Sequence, residues 1–474
     1  MYKKGILLCL VIFLISSLMI GCGGKASSNR KVSEKLIANV DFSTWIKETF
    51  KVSPDCRHIA YVAKEDNKAS VIIDGKKEKQ YDDVEISGPI FSPDSKHVAY
   101  IAISGSKCFV VMDSKEGKQY DGIGLYSLTF SPDSNHVAYV AQADNKQFVV
   151  LDGKEEKGYD KIENILPTNN DAKVAKKGQY TSIDTGQPIF SPDSKRIAYA
   201  IKEGNNVFVV LDGKEERQYD NVGRLGFSPD SKHVAYVAEI KDKCFIAMDG
   251  KEDKLYDKIG IGGLIFSPDS RHTAYSAKLG DERFAVIDNE VKQYDGIIDP
   301  VFSPDSKRVA YGAKASNGWF IVVDGKEEKQ YDAIGDPLFS PDSKRMAYWV
   351  NVSNKQFMVV DGKESKQYDD IGYAVFSPDS KRVAHVAILG KWFIVVDGKK
   401  GKSYDNIRNP VFSPDSKRTI YRAILGNTEF IVVDKKEGMR YSQIVSRVEF
   451  DSPDSFHYLA SKGNNIYLIE ERLK

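Results

Sequence analysis

The chain has 474 residues, 68 of them basic and 67 acidic, for a net charge of +1. With 41% apolar and 11% aromatic residues it can bury a large core, which excludes an intrinsically disordered protein. The charges are interspersed and form no basic stripe, so nucleic acid is not an expected partner.

The first element is a targeting segment. Lys3 and Lys4 precede an apolar run of 15 residues, Ile6 to Ile20, which is short for a membrane span. The run closes on Met19-Ile20-Gly21-Cys22. This resembles the lipobox of bacterial lipoproteins. The resemblance implies that residues 1–21 are a signal peptide and that the sulfur of Cys22 is diacylated. Acyl chains would then hold the protein to a membrane on the extracytoplasmic side, in the periplasm or at the cell surface. The alternatives are an ordinary signal peptide or an uncleaved anchor. Residues 22–35, which open on a Gly/Lys/Ser-rich stretch, are expected to be a flexible tether. Apart from Cys9 and Cys22, the cysteines are Cys56, Cys108 and Cys244. Their number is odd and their spacing fits no zinc pattern, so they read as unpaired thiols.

From residue 36 to the end the chain repeats itself. Ser-Pro-Asp occurs eleven times, first at Ser53 and last at Ser452, at spacings of 36 to 39 residues with one of 60. Such a period with many short strands predicts an all-β fold, a β-propeller of about eleven four-stranded blades. The unit beginning at Val301 illustrates the cut. A short apolar strand ends in Phe302, and Ser-Pro-Asp-Ser makes a turn. A second strand alternates around Val309 and Tyr311. A third, Phe320 to Val323, is wholly apolar and fits a sheet covered on both faces. Asp324-Gly325 is a hairpin signal. A fourth strand, rich in Lys and Glu, ends in Tyr331-Asp332 and fits a charged outer edge. The 60-residue spacing contains an insertion, residues 161–188, which is expected to be a loop between a fourth and a first strand.

The ends suggest how the ring closes. After Ser452 the chain supplies only a second and a third strand. Phe42-Ser43 precedes Ser53 by eleven residues, the offset of Tyr81 from Ser92. Residues 37–44 are therefore expected to complete the last blade. Eleven units exceed the roughly four to eight blades of ordinary rings, which favours two rings over one unusually wide ring.

The FSPDS-(K/R)-x-(V/A)-A-Y unit resembles the WD-repeat-like propeller repeat of the TolB family, periplasmic proteins of the Tol system. The similarity spans about residues 36–470. Where the family usually has Gly after the Asp, this chain has Ser95, Ser134, Ser194 and their equivalents. TolB also carries an extra N-terminal domain for which this chain has no room, and that counts against a TolB role.

In a four-stranded blade, alternate connections lie on opposite faces. The Ser-Pro-Asp-Ser and Asp-Gly turns share one uniform face. The second-to-third and fourth-to-first connections share a variable one, which is the expected recognition surface. The insertion, with Lys176 and Lys177, falls on that face. The residue before the third-strand aromatic varies sharply and includes Arg283, Trp319 and Trp392. Aromatics there could stack on a sugar or anchor a partner, although packing between blades would also account for them. Of seven histidines, six fill one repeat slot and His385 replaces a repeat tyrosine. A catalytic base is expected to be singular and clustered rather than periodic. No nucleophile elbow, zinc motif or phosphate-binding loop is present. The expectation is a non-catalytic envelope lipoprotein, with no cofactor or metal. It would be anchored to the membrane by lipid and act as a protein-binding scaffold. The alternatives are a lectin-like, glycan-binding propeller and, behind it, a propeller enzyme such as a lyase or glycosidase.

Overall fold

The computed structural model describes residues 30–162, 186–260, 262–316 and 318–474. Among these there is no helix, and the strands form eleven separate antiparallel sheets of four or five strands. Each sheet is one blade. Blade 1 consists of Trp45–Val52, Ile59–Glu65, Lys68–Ile73 and Lys76–Tyr81, paired in that order; blades 2 to 10 follow in chain order, opening at Asp83, Gly122, Lys161, Asn221, Lys258, Gly296, Ala333, Asp370 and Asn406, and blade 11 opens at Gln443.

The repeat explains why the sheets stack. The second strand is buried on both faces, as in Ile59–Glu65 and Val98–Ser104. Its alanines make room on one side for the tyrosines of the next blade. Ala138 packs with Tyr199, Ala310 with Tyr348, and Ala200 with Tyr236. The tyrosine that ends each fourth strand reaches under the following blade. Tyr120 meets Tyr139 and Phe148 edge-on at 6.2 and 5.7 Å. Each such ring brings on the order of 150–250 Å² into the interface, so these tyrosines contribute heavily to blade stacking.

The blades form one closed ring. Eleven apolar clusters each join two successive blades, and the last, with Tyr61, Leu459 and Leu468, joins blade 11 to blade 1. This corrects the expectation of two rings. Nothing in a blade specifies ring size by itself; the uniform interface simply recurs until the ends meet. The first strands lie innermost, because neighbours there touch backbone to side chain. A Cβ on Gly88 of blade 2 would stand 2.8 Å from Thr49 of blade 1. The fourth strands diverge and are spanned by long side chains, in ion pairs such as Lys118–Glu155 and Lys329–Glu364 at 2.6 Å and in bonds such as Tyr331 to Glu364 at 3.0 Å.

The N-terminal strand is Arg30–Asn39, and it pairs antiparallel with Asn465–Leu473. It completes blade 11, as the missing fourth strand required, but with different bounds. The tether expected over 22–35 gives way to strand at Arg30. Phe42 does not take the tyrosine slot. It lies in the turn after Asn39, and Ala38 stands opposite Ile466 instead. The seam is sealed by a buried ion pair, Arg30 to Glu471 at 3.1 Å, with side chains 2% and 0% exposed.

The uniform face is a network of staples. Ser303 Oγ accepts from the Arg308 amide and donates to Asp305, whose own amide donates to Ser343 Oγ of the next blade at 2.9 Å. That inter-blade bond recurs at nine successive junctions, from Asp55–Ser95 to Asp379–Ser416. It accounts for the serine at this position of the turn. Ser343 sits at φ +63°, a left-handed conformation that glycine would adopt more easily, but only serine offers the acceptor. The histidine slot belongs to the same face. His58, His97, His136, His233 and His272 each bond the aspartate of their own Asp-Gly or equivalent turn at 2.6–2.7 Å.

Candidate functional site

The fourth-to-first connections prove short. The aspartate of Tyr-Asp accepts from the second-to-third hairpin of the next blade, as Asp82 does from the Gly105 amide at 2.6 Å and Asp332 from Ser353 at 2.8 Å. Variation lies instead inside the first strand. Asp83–Val84 and Ile90–Phe91 both pair with Val98–Ser104, so residues 85–89 bulge out between them. In blade 7 the bulge is Asp299 and Pro300, and in blade 9 it is Gly372 and Tyr373. The insertion follows the same rule. Lys161–Ile162 and Ile189–Phe190 both pair with Ile197–Glu203, so the excursion interrupts an innermost strand and is not a loop between strands. Lys176 and Lys177, like Cys22, lie outside the described residues.

The bulges therefore surround the axis of the ring. Several of their polar groups are internally satisfied. Ser87 bonds Glu85 Oε2, while Oε1 is buried without a partner, and burial pushes the carboxyl up against the pull of those bonds. Asp299 is held by Ser276 and the Gly262 amide. Apolar groups are left open beside them: Ile86, Leu338, Tyr126 at 62% exposure and Tyr373 at 73%.

Trp319 is half-buried opposite Lys314 and Tyr331 in the interface of blades 7 and 8. Trp392 is half-buried opposite Ile388 and Tyr404 in that of blades 9 and 10. Arg283 is exposed between Lys278 and Tyr294. The structure thus does not bring these three together. Cys56, Cys108 and Cys244 are free, and burial pushes each thiol up. No group of three or more His, Cys, Asp or Glu that could hold a metal occurs among the described residues.

Residues not singled out from the sequence meet at the closing seam. A cavity of about 310 Å³ lies between blades 10, 11 and 1, with Trp45, Phe50, Arg408, Arg422 and Gln443 in its walls. The signal was present in the repeat columns. The residue after the second-strand tyrosine is apolar or small in the other units, as at Val62, Ile101, Ala200, Ser276 and Gly312, but is Arg422 in blade 10. A larger depression of about 620 Å³ lies on the uniform face near His233 and Asp269. Its polar groups are taken up in staples, among them His233 to Asp249 and Ser267 to Asp269.

No family model matches the sequence, and no curated protein does. Among solved structures, a eukaryotic initiation factor is 12% identical, with 81% of this chain and 97% of that one covered, at a TM-score of 0.37. The β-propeller domain of the Trilobed protease from Pyrococcus furiosus is 17% identical, over 53% of this chain and 93% of that one, at 0.28. TolB from Acinetobacter baumannii is 16% identical, over 52% of this chain and 63% of that one, at 0.23.

Proposed function

We propose that this protein is a non-catalytic binding scaffold of the bacterial cell envelope, tethered through a lipid on Cys22, which engages an envelope protein through the bulges of its innermost strands. One contrast carries the reading. On the uniform face the repeated Ser and Arg side chains bond the neighbouring blade, and the Asp and His side chains bond the turns of their own. Around the axis the bulges differ from blade to blade and leave Ile86, Tyr126, Leu338 and Tyr373 exposed. These four stand as two pairs, in blades 2 and 3 and in blades 8 and 9, and exposed apolar side chains on a variable surface suit a protein contact. The absence of catalysis is argued from the histidines, which serve as periodic partners of turn aspartates. Glycan binding is the weaker alternative, because Trp319 and Trp392 belong to separate interfaces.

The test is capture from envelope extract by the mature protein, by Tyr126→Asp plus Tyr373→Asp, and by Lys344→Asp on the uniform face as a control. A partner retained by the wild type and the control and lost by the double variant supports the reading. Capture indifferent to the double variant overturns it. So does specific binding on a glycan array that Trp319→Ala plus Trp392→Ala abolishes. For the tether, metabolic labelling with a fatty-acid analogue should mark the wild type and not Cys22→Ser; equal labelling of both would refute it.

A further inference from the structure

Just past the buried Ile or Val of the first strand, several blades set a small residue against a larger one across the first and second strands. Gly335 lies opposite Trp349, where a Cβ would stand 1.9 Å from the indole nitrogen. Gly223 faces Val237, and Ile298 faces Gly312. Blade 10 instead sets Arg408 directly opposite Arg422. Like charges in directly opposed positions repel, so such a pair calls for negative charge. Glu429 answers part of the need. It meets Arg422 at 2.5 Å, both side chains being 13% exposed. The Nε of Arg422 stays buried without a partner. Arg408 is exposed and has no hydrogen-bond or ion-pair partner among the described residues. Lys47 of blade 1 adds a third cation, and no carboxylate lines the cavity.

The facing wall is aromatic. Phe42 meets Trp45 edge-on at 4.8 Å, and Trp45 meets Phe50 at 6.0 Å. It exists because the chain turns after Asn39 before entering blade 1, which leaves Phe42 beside the cavity and 42% exposed. Besides the cations, Gln443 and Ser461 are the polar side chains in the lining.

We infer that the seam cavity binds a carboxylate carried on an apolar body. The carboxylate lies between Arg408 and Arg422, matching guanidinium donors in the manner such groups favour. The body packs against Trp45 and Phe50. Glu429 already offsets Arg422, which leaves Arg408 and the exposed Lys47 as the cations without a counter-charge, so phenyl phosphate is the control for a dianion. An acidic sugar fits worse, because its hydroxyls would find few partners beyond Gln443 and Ser461, and unmet hydroxyls are costly. The volume, about 310 Å³, is near the lower end for small-ligand sites and suits a group the size of one amino acid. A free aryl or alkyl acid and the C-terminal residue of a polypeptide present this same chemistry. The inference does not depend on the bulges being the partner surface.

Calorimetric titration of the mature protein with N-acetylphenylalanine and with its neutral amide tests the inference. The acid should bind, and the amide roughly tenfold or more weakly, as expected for loss of a charge-assisted contact. Arg408→Gln should weaken the acid similarly without lowering the melting temperature, since Arg408 is exposed and faces a like charge. Arg422→Gln is made together with Glu429→Gln, so that no buried carboxylate is stranded, and should also lose the acid. A pentapeptide ending in free phenylalanine that binds like the acid assigns a chain end; binding confined to the free acid assigns a small molecule. No saturable binding at millimolar acid, equal affinity for acid and amide, or tighter binding of phenyl phosphate would overturn the inference.

Discussion

Replacing His385 by tyrosine should stabilise the ring, and more so in acid. His385 occupies the second-strand slot that is tyrosine in the other ten blades, and it is 4% exposed. Neither ring nitrogen has a partner. Burial alone pulls its pKa down from 6.5 to about 4. The unfolded chain therefore takes up a proton below about pH 6.5, while the folded ring declines it until near pH 4. Where the unfolded state binds more protons, stability falls as pH falls. The full penalty across that window is about 3 kcal/mol, and at pH 5 it is about 2 kcal/mol, at 1.36 kcal/mol per pH unit. Tyrosine does not titrate in this range and fits the slot. Urea denaturation of both proteins at pH 7.5 and pH 5.0 isolates the effect, because the remaining histidines are common to both. The difference in stability should widen by about 2 kcal/mol at the lower pH. A difference that stays constant or narrows would refute the assignment of a neutral, unpaired His385.

Two further substitutions probe closure and stapling. Arg30→Met strands Glu471 in the seam beside Tyr458 and should cost about 3–5 kcal/mol, read as a large fall in melting temperature. Arg30→Met plus Glu471→Leu should recover much of it; equal stability of single and double variants would count against a buried pair. Ser343→Ala keeps the left-handed strain and loses the acceptor for Asp305, so it should cost about 1 kcal/mol, whereas Ser343→Gly relieves the strain and should lie nearer the wild type. An alanine variant as stable as the wild type would dismiss the staple.

The propeller is legible in the sequence because the turn chemistry of Ser-Pro-Asp-Ser and Asp-Gly recurs beside apolar runs of fixed length. The missing fourth strand can be counted, but its register cannot. Phe42 matches the tyrosine offset in sequence, yet the turn after Asn39 shifts the pairing so that Ala38 fills the slot. Ring size is hidden, since each interface is local and the closing contacts, Arg57 to Asp451 and His457 to the Asp55 carbonyl, join residues about 400 positions apart. The insertion escapes correct placement because a strand broken into two short pieces reads as loop on either side of the break. Trp319 and Trp392 stand out as large residues in a variable slot, but that slot lies at an interface between blades. Arg408 and Arg422 become conspicuous only when their columns are compared and their cross-strand pairing is known.

The division between a face that holds the blades and an axis that meets a partner can be tested in living cells. A photo-crosslinking amino acid is placed at Tyr373 in one strain and at Lys344 on the uniform face in another. Ultraviolet irradiation should join the protein to a discrete partner from position 373 and not from position 344. An adduct formed from position 344 alone would contradict the account.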